Sequence, residues 1–484
     1  MIKFGTSGWR DIIAKGFTYD RVYCAAQAIC DYLIGLQETV PACGTVHYGD
    51  TRGEIIVGYD TRFMSEDFAK AASEVFAANG FKVSYSSEDV PTPTIAYEII
   101  RKKARGGINI TASHNPYMYS GLKFSPAWGG PALPETTKQI EINCNEIQND
   151  TSRINRVPFN EAVKKKMIIV RSFKKTYLKR VSQLINFDAI RKSKIKIAVD
   201  VMHGAGRGYL GEILKQHKIP YAIVHENRDC MFGGHHPEPA EVYLTEIIKM
   251  VKSKKFRLGI ASDGDADRFG IIDSDGSYIS ANEVIALLAN HLAKTRKWKG
   301  IIARSVMTSS FIDAVAGKWG LELRETPVGF KYIGDILVKE SLVIGGEESG
   351  GLTIKGHVPE KDGIVACLLA VEMAAMEKKS IKKILNDLQK EVGIFYSERT
   401  NLRLDQTVMD SLRERLMTFE PSVIAGNKVK KVNRLDGFKV ECENGDWLGI
   451  RLSGTEPIVR CYIESRSKQG LSKLLKAGKE IIYK

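Results

Sequence analysis

A serine occupies a loop in which its side chain could do chemistry. Residues 111–116, TASHNP, follow the apolar run GGINI and precede a polar turn. A hydrolase nucleophile would stand in G-x-S-x-G, but the five residues centred on Ser113 read TASHN, and His114 follows too directly to act as its base. A serine without such a base is suited to carrying phosphate, which leaves easily and adds up to about two negative charges. The alternative is an ordinary turn with a serine or asparagine cap.

Alternating carboxylates form a second polar loop. Asp263, Asp265 and Asp267 lie in the segment DGDADR, so an extended loop could direct all three side chains at one point. Oxygen ligands of this kind bind Mg²⁺ or Ca²⁺. An EF-hand is excluded, because its sixth and twelfth positions would be Gly and Glu but are Arg268 and Ser274 here. A divalent ion beside a phosphorylated serine would favour phosphoryl transfer. A solvated acidic turn is the alternative.

A glycine-flanked turn could bind a sugar. In residues 345–351, GGEESGG, the glycines permit close approach of a ligand, and Glu347 and Ser349 offer partners for neighbouring hydroxyls. The downstream turn GHVPEKDG adds His357 and Lys361 as further substrate-binding candidates. A plain glycine-rich turn is an equally good interpretation of the first segment taken alone.

The segment RLSGTEP could bind a phosphate group. Arg451 can donate two parallel hydrogen bonds to a phosphate, and the hydroxyls of Ser453 and Thr455 can donate to it as well. The backbone around Gly454 can form an anion-binding nest. The segment is not a P-loop, because the Gly-Lys-Ser/Thr ending is missing, which argues against nucleoside triphosphate hydrolysis.

The elements that must position these loops alternate between strand-like and helix-like segments, which is typical of α/β folds with largely parallel sheets. Residues 54–60 predict a buried strand, and residues 65–80 predict a helix with Ser65 as its N-cap and Gly80 at its end. Buried strands that run into glycines, hydroxyls or charges recur at 196–206, 258–265, 300–310 and 342–351. Ligand sites lie at that edge of open α/β sheets.

The C-terminal part of the chain differs. It predicts a hairpin that turns at Asn444 and Gly445, a further strand and a final helix. We therefore predict three α/β domains with mixed or parallel sheets and a C-terminal α+β domain, arranged around one cleft. The predicted ranges are 1–150, 151–285, 286–398 and 399–484. In this order they contain the serine loop (residues 111–116), the acidic loop (263–268), the sugar loop (345–351) and the phosphate loop (451–457).

Composition excludes several classes of protein. The net charge is +14, but the basic residues are spread along the chain and no nucleic-acid-binding motif is visible, so nucleic acid is not an expected partner. The strongest apolar run, residues 364–371, stops at Glu372, well short of the ~20 residues of a membrane span. No secretory signal is expected, because the first residues, MIKFGTSGWRD, contain no long apolar run. The eight cysteines have no C-x-x-C spacing, which is typical of reduced thiols in a cytoplasmic protein.

Together and in this order, the four loops resemble the motifs of the α-D-phosphohexomutase family, most of all its phosphoglucomutase and phosphomannomutase members. Further segments that are similar to the family are FGTSGWR, GYDTR, FGGHHPEP and PVGFKYI, at residues 4–10, 58–62, 232–239 and 327–333. The resemblance spans nearly the whole chain, and four ordered motifs are far more specific than any one of them.

The resemblance implies a phosphoserine mechanism in an isomerase of carbohydrate metabolism. Ser113 would pass its phosphoryl group to a hexose 1-phosphate, giving a bound hexose 1,6-bisphosphate that would turn over in the cleft. Ser113 would then take back the other phosphoryl group as hexose 6-phosphate leaves. The bisphosphate would also be the activator. Mg²⁺ would be held by a phosphate oxygen of Ser113 and by Asp263, Asp265 and Asp267.

The resemblance also implies roles for the remaining residues. Arg10 and Arg268 would lie near the transferring group, and Lys123 and His114 would be candidates for general acid and base. For Lys123 to act as a base near neutral pH, its pKa must fall. Sugar recognition would fall to Glu347 and Ser349, with His357 and Lys361 as further candidates, and the non-reacting phosphate would be bound by Arg451, Ser453, Gly454 and Thr455.

The sugar loop favours glucose phosphates, with mannose phosphates second and amino sugars less favoured. It contains Glu348 and Gly351 where bacterial phosphoglucosamine mutases would usually have Gln and His. The expected partners are small sugar phosphates, and the protein would be a monomer or a homodimer. Two other hypotheses remain. One is a phosphoryl-transfer enzyme with an aspartate nucleophile in DGDADR, and the other is a sugar-phosphate sensor without turnover.

Overall fold

The computed structural model describes residues 2–5, 7–39, 52–453 and 458–483. Along these residues the chain forms four β-sheets in succession, each accompanied by helices. The first three sheets mix parallel and antiparallel pairs, whereas the pairs of the last sheet are antiparallel. The predicted fold class, three α/β domains followed by a C-terminal α+β domain, is confirmed.

The first sheet carries the serine loop. Its strands are β1 (Trp9–Ile12), β2 (Glu54–Tyr59), β3 (Lys82–Ser86), β4 (Gly106–Ile110), β5 (Tyr119–Pro126) and β6 (Ile168–Arg171). They lie in the order β1-β5-β4-β2-β3-β6. Strands β4, β2, β3 and β6 are parallel, and β5 is antiparallel to both of its neighbours. The helices are α1 (Tyr19–Thr39), α2 (Ser65–Ala78), α3 (Thr92–Lys102), α4 (Pro134–Asn149) and α5 (Phe159–Lys164).

Helix α2 begins at Ser65, but the prediction that Ser65 is its N-cap is wrong. The capping position is Met64, which has a left-handed conformation with φ of 59° and makes no side-chain cap bond. Ser65 Oγ instead donates to Asp60 Oδ1 at 2.8 Å, because a buried carboxylate competes for the hydroxyl. The helix ends at Ala78, and Gly80 follows with φ of 83°, as expected of a glycine after a helix.

The second sheet carries the acidic loop. Its strands are β7 (Ile197–Asp200), β8 (Tyr221–Val224), β9 (Leu258–Ser262), β10 (Phe269–Asp273) and β11 (Tyr278–Ile279), in the order β11-β10-β9-β7-β8. Strands β8, β7 and β9 are parallel, and β10 is antiparallel to β9. The helices of this region are α6 (Lys174–Leu184), α7 (Phe187–Ser193), α8 (Leu210–Gln216) and α9 (Thr245–Lys252).

The third sheet carries the sugar loop. Its strands are β12 (Ile301–Ser305), β13 (Glu322–Thr326), β14 (Leu342–Glu347) and β15 (Gly351–Ile354), in the order β13-β12-β14-β15. Strands β13, β12 and β14 are parallel, and β15 is antiparallel to β14. The helices are α10 (Ala281–Arg296), α11 (Phe311–Trp319), α12 (Phe330–Lys339), α13 (Gly363–Glu377) and α14 (Ile381–Val392).

The fourth sheet carries the phosphate loop. Its strands are β16 (Tyr396–Arg403), β17 (Val423–Ile424), β18 (Asn427–Asn433), β19 (Phe438–Cys442), β20 (Trp447–Leu452) and β21 (Ile458–Ser465), in the order β16-β21-β20-β19-β18-β17. The helices are α15 (Gln406–Thr418) and α16 (Lys468–Tyr483). The predicted hairpin joins β19 to β20, and Gly445 in its turn has φ of 84°.

Each of the predicted loops joins two neighbouring antiparallel strands. The serine loop joins β4 to β5, the acidic loop β9 to β10, the sugar loop β14 to β15 and the phosphate loop β20 to β21. In the first three sheets, the strand that enters the loop belongs to the parallel part of the sheet. These loops therefore leave from the carboxyl edge, where ligands bind in α/β sheets.

The domain boundaries at 150, 285 and 398 stay a prediction. Strand β6 pairs with β3 of the first sheet although it lies beyond the first boundary. Helix α10 runs across the second boundary, and strand β16 of the fourth sheet runs across the third.

Helix α13 joins the second and third sheets, because it contacts β9 and β10 as well as β15. It contains the strongest apolar run of the sequence, and its residues from Gly363 to Ala375 are buried. Glu372, where that run stops, is also fully buried, and its carboxylate accepts from Arg296 Nη2 at 2.8 Å and the backbone N–H of Asn186 at 2.6 Å. None of the described helices is long and apolar enough to cross a membrane.

We expect Glu372→Ala to lower the free energy of unfolding by about 3 kcal/mol or more, because it removes the partner of the buried His291 imidazole and of the Asn186 N–H and leaves Arg296 with the Leu184 carbonyl. The matched control is Glu377→Ala on the same helix, where the carboxylate pairs with the exposed Lys294 at 2.6 Å. That surface pair contributes at most about 1 kcal/mol. Thermal unfolding followed by circular dichroism checks both variants, and equal melting midpoints would contradict the expectation.

Candidate active site

Ser113 lies in the loop between β4 and β5 and is almost completely buried, with 1% of its surface exposed. Its backbone has φ of 52°, a left-handed conformation that non-glycine residues adopt rarely. The side-chain Oγ donates to Asp263 Oδ2 at 3.1 Å and lies 3.3 Å from His114 Nδ1. The serine loop of the first sheet therefore contacts the acidic loop of the second.

Arg62 holds the serine loop in this conformation, although the sequence analysis did not select it. It is fully buried, and its Nε donates to Asp60 Oδ2 at 3.0 Å. Its terminal nitrogens donate to the backbone carbonyls of Ser113 (2.6 Å), Asn115 (2.7 Å), Pro116 (2.8 Å) and Tyr119 (3.0 Å). One guanidinium thus fixes the path of the loop around the serine. The only sequence signal for it was the family segment GYDTR, which ends at this residue.

The three aspartates of the acidic loop converge as the sequence predicts. One carboxylate oxygen from each of Asp263, Asp265 and Asp267 lies within 4.8 Å of the others, and all three residues are buried. Asp263 Oδ1 accepts from the backbone N–H groups of Asp267 and Arg268, both at 2.9 Å. This leaves Asp263 Oδ2 directed at Ser113.

Cations from two other domains approach the acidic loop. Lys123, on β5, donates from Nζ to Asp265 Oδ2 at 2.6 Å and to Asp267 Oδ2 at 2.8 Å. Lys361, before α13, lies 3.2 Å from Asp267 Oδ2. Thr92 at the start of α3 also donates a hydrogen bond to Asp265 Oδ2. The sequence analysis missed Thr92, which carries no motif.

The acidic loop fits a hard divalent cation. Among the described residues, Asp265 Oδ1 and Asp267 Oδ1 are buried and accept no hydrogen bond. Burial, and then the negative charges of Asp267 and Asp265, raise the pKa of Asp263 well above its usual value. Unpaired buried carboxylate oxygens cost free energy that an ion with oxygen ligands relieves. Together with Asp263 Oδ2, these oxygens form a donor set suited to Mg²⁺.

The surroundings shift the pKa values of the two candidates for proton transfer in opposite directions. Burial lowers the pKa of Lys123, but the adjacent Asp265 and Asp267 more than offset this and raise it. These surroundings favour the ammonium form, so the fall in pKa that a lysine base requires is not found. Burial, and then the positive charges of Arg268 and Arg10, hold the pKa of His114 well below its usual value, which favours the neutral imidazole.

Arg10 and Arg268 both lie close to this cluster. Arg10, on β1, donates from Nη1 to Asn115 Oδ1 of the serine loop at 2.7 Å. Arg268 donates from Nη1 to Glu238 Oε1 at 3.4 Å, and among the described residues its buried Nε has no partner. Burial opposes the charge of Arg268, but Glu238 and Asp263 outweigh that effect and raise its pKa.

The serine and acidic loops approach so closely that only a glycine fits between them. A Cβ atom on Gly264 would lie 2.7 Å from the carbonyl oxygen of Ser113 and 3.1 Å from Pro237 Cγ. Both distances are shorter than van der Waals contact. The absence of a side chain at Gly264 therefore allows Ser113 to reach Asp263.

The sugar loop presents a buried carboxyl group. Glu347 Oε1 accepts from the backbone N–H of Gly329 at 2.7 Å. Burial, and then the neighbouring Glu348, raise the pKa of Glu347 to about 7. Ser349 is partly exposed and lines a cavity of about 200 Å³ together with Trp447 of the fourth sheet.

The structure separates the two residues of the downstream turn. Lys361 lies at the acidic loop, where Glu360 Oε1 also accepts from its Nζ at 2.7 Å. The imidazole of His357 is fully buried and lies 2.6 Å from Asp362 Oδ2, which also accepts from the Tyr177 hydroxyl at 2.7 Å. His357 and Tyr177 therefore share the Asp362 carboxylate, and the substrate contact of His357 stays a prediction.

The phosphate loop is only partly described. Arg451, at the end of β20, donates from Nε to Asp436 Oδ1 at 3.0 Å. The N–H of Ser453 donates to the carbonyl of Ile458 at 2.8 Å. The predicted ligands Gly454 and Thr455 lie outside the described residues.

Comparison with known proteins agrees with this geometry. Models of the four domains of the phosphoglucomutase/phosphomannomutase family match the chain in order. The alpha/beta/alpha domains I, II and III match residues 1–151, 175–276 and 280–392, and the C-terminal domain matches residues 411–478.

Whole proteins of similar length also match. A phosphoglucomutase of Komagataeibacter xylinus is 30% identical over 96% of this chain and 87% of its own length. A phosphoglucomutase/phosphomannomutase of Thermococcus kodakarensis is 28% identical over 90% of this chain and 91% of its own. The crystal structure of a Thermus thermophilus protein assigned as a phosphomannomutase superimposes with a TM-score of 0.83 and 29% identity, covering 100% of this chain and 99% of that one.

The fold, the buried serine beside three aspartates and these matches define an intramolecular phosphotransferase, an isomerase of the phosphohexomutase class. The chain belongs to the phosphoglucomutase/phosphomannomutase family.

We expect Gly264→Ala to lower kcat for glucose 1-phosphate by about 10- to 100-fold, because the added methyl group must push Ser113 away from Asp263. The matched control is Gly317→Ala on α11, where a Cβ would meet no atom within 4 Å. That variant should keep full activity and gain up to about 1 kcal/mol of stability from the better helix former. An undiminished kcat in a folded Gly264→Ala protein would contradict the expectation.

Proposed function

We propose that this chain interconverts hexose 1-phosphates and hexose 6-phosphates by way of a phosphorylated Ser113 and a bound hexose 1,6-bisphosphate. The observation that carries this proposal is the 3.1 Å contact of Ser113 Oγ with Asp263 Oδ2 inside a buried acidic cluster. A hydroxyl at such a position is shielded from water, which would otherwise hydrolyse a phosphate on it. It is also adjacent to groups that can offset the charge of a transferring phosphoryl group.

The reaction consists of two phosphoryl transfers. In the first, the 6-hydroxyl of a hexose 1-phosphate attacks phosphorus and passes its proton to a base, while the bond from phosphorus to Ser113 Oγ breaks and the serine oxygen takes up a proton. After the bisphosphate has reoriented, Ser113 Oγ gives up its proton to a base and attacks the phosphate at the sugar's 1-position. The bond from that phosphorus to the sugar oxygen breaks, and the oxygen takes up a proton. The serine is therefore phosphorylated again at the end of each cycle.

The acidic loop and two arginines would surround the transferring group. Asp263, Asp265 and Asp267 would hold Mg²⁺ together with a phosphate oxygen on Ser113. When bound, the ion supplies positive charge that offsets the charge of the phosphoryl group. Arg10 and Arg268 would add donors from the first and second domains, since both lie beside this cluster.

His114 and Lys123 remain the candidates for moving the protons. His114 Nδ1 lies 3.3 Å from Ser113 Oγ, closer than its position next to the serine led us to expect, so proton transfer requires only a small adjustment. Lys123 Nζ donates to both Asp265 and Asp267, so it lies beside the carboxylates that are expected to bind the ion. His114 therefore meets the distance condition at Ser113 Oγ, and Lys123 lies beside the expected ion ligands in surroundings that raise its pKa and favour the ammonium form.

Binding in two reversed poses requires that sugar and phosphate be recognised separately. Glu347 and Ser349 would contact hydroxyls that either pose presents. The phosphate that is not reacting would be bound by Arg451 and Ser453, together with Gly454 and Thr455 of the same motif. Lys361, held at Asp267, would lie between these two regions and the acidic loop.

We expect Ser113→Ala to lower turnover by at least about 1,000-fold, because it removes the atom that carries the phosphoryl group. Labelled phosphate from glucose 1,6-bisphosphate should become attached to the peptide that contains Ser113 in the native protein. It should resist hydroxylamine, which releases phosphate from an aspartyl ester.

The matched control is Ser120→Ala, which removes a fully buried hydroxyl on β5 that has no hydrogen-bond partner among the described residues. It should leave turnover within about twofold and the melting midpoint nearly unchanged. Hydroxylamine-labile phosphate on an aspartate would favour the alternative nucleophile. A folded Ser113→Ala protein with full activity would end the proposal.

The preferred sugar is expected to be glucose, because the GEES of the sugar loop and the downstream HVPEKDG resemble the corresponding segments of phosphoglucomutases. We expect kcat/KM for glucose 1-phosphate to exceed that for mannose 1-phosphate by about 5- to 100-fold, since one hydroxyl changes between axial and equatorial. N-acetylglucosamine 1-phosphate should be converted more slowly than either. Assays of the three substrates with Mg²⁺ and a trace of bisphosphate test this order, and a preference for the amino sugar would reverse it.

A further inference from the structure

We propose that Asp436 is a positioning residue that couples phosphate binding at Arg451 to sugar binding at Glu347. The inference rests on the proposed function, because the substrate roles of Arg451 and Glu347 belong to it. Asp436 itself was not selected by any motif and lies in the turn between β18 and β19.

The two oxygens of Asp436 connect the fourth domain to the third. Oδ1 accepts from Arg451 Nε at 3.0 Å, and Oδ2 accepts from the backbone N–H of Val328 at 2.9 Å. The next peptide N–H, that of Gly329, donates to Glu347 Oε1 at 2.7 Å. Two carboxylates from different domains are thus held by consecutive N–H groups of one short segment. A shift of that segment moves both.

The backbone at each end of this bridge has little freedom to adapt. Gly329 has φ of 134° and immediately precedes α12, whose first residue is Phe330. Gly437, which follows Asp436, has φ of 83°, and a Cβ there would lie 2.6 Å from the carbonyl oxygen of Ile450. The turn therefore lies directly against the strand that carries Arg451, so the Asp436 carboxylate has few ways to move independently of that strand.

The bridge belongs to a wider surface on which the fourth domain docks. Asn433 Nδ2 donates to Glu325 Oε1 at 2.7 Å, and Lys439 Nζ donates to the carbonyl of Val306 at 2.8 Å. These contacts also join the two domains, but their side chains do not contact Arg451 or Glu347 in the described bonds. They provide a means to separate docking in general from the coupling that we assign to Asp436.

The arrangement fixes the distance between Glu347, which would bind the sugar, and Arg451, which would bind the phosphate. A guanidinium held through Nε directs its terminal nitrogens away from Asp436, and the carboxylate of Glu347 is directed by Gly329. Groups that are already oriented lose less entropy when a ligand binds, so phosphate binding at Arg451 favours sugar binding at Glu347 and the reverse. The same distance serves a hexose phosphate in either pose.

A double-mutant cycle measured in two backgrounds tests the coupling. Arg451→Lys and Glu347→Gln are made singly and together, first in the native chain and then in Asp436→Ala. The dissociation constant of glucose 1-phosphate is measured by calorimetry, and KM and kcat are measured in parallel. The coupling factor is the departure of the double variant from the product of the single effects. We expect Asp436→Ala to reduce this factor at least about fivefold.

The matched control is Lys439→Met on β19, which removes the hydrogen bond to the Val306 carbonyl between the same two domains and leaves the turn that carries Asp436 intact. It should leave the coupling factor unchanged, even if it lowers the melting midpoint. Asp436→Asn is the second variant, because it keeps the size of the side chain if Asp436→Ala does not fold. An amide nitrogen cannot accept a hydrogen bond, so Asn cannot serve both donors, and we expect Asp436→Asn to reduce the coupling in the same direction.

The outcomes separate this inference from the proposed function. An unchanged coupling factor in folded Asp436→Ala or Asp436→Asn overturns the inference, as does an equal loss in Lys439→Met. Because the coupling is read from binding, it can be measured even if turnover fails. A native protein that binds glucose 1-phosphate without converting it, and whose Ser113 takes up no phosphate, refutes the proposed function while the cycle still tests Asp436.

Discussion

The confinement of three carboxylates within 4.8 Å in a buried place is the constraint on which the site depends. Like charges repel strongly where water cannot screen them, so the surrounding structure must offset them. Lys123 and Thr92 of the first domain, Lys361 of the third and backbone N–H groups of the loop itself do so. Groups from three domains therefore offset the negative charge of the acidic loop, and a bound cation would offset the rest.

The fourth domain reaches the site by different means. Its contacts with the third domain are hydrogen bonds and ion pairs along a docking surface, including those of Asn433, Asp436 and Lys439. Burial lowers the pKa of Lys439 to about 8, which indicates how far this surface is withdrawn from water. The acidic loop thus organises the site around Ser113, and the docking surface sets the position of the phosphate loop.

The positions of the loops could be predicted from the sequence because each one follows a buried strand whose pattern is local. The approach of Ser113 to Asp263, 150 positions away, was expected only from the family resemblance, and the contact of Thr92 with Asp265, 173 positions away, was not expected, because neither pair leaves a local pattern. Arg62 was missed because it acts on backbone carbonyls, which leave no trace in residue types. The Ser65 cap was wrong because a tertiary partner, Asp60, outcompeted the helix terminus. His357 shows the same limit, since only the fold reveals that its imidazole faces Asp362.

The separation between Ser113 and its partners has a consequence for synthesis. A ribosome completes the hairpin of β4 and β5 long before it makes the acidic loop, and Lys361 follows later still. Gly264, whose lack of a side chain allows Ser113 to approach Asp263, belongs to the same acidic loop. The first domain alone therefore holds Ser113 without the three carboxylates and without Lys361, so the proposed reaction requires the chain to be made at least as far as the third domain.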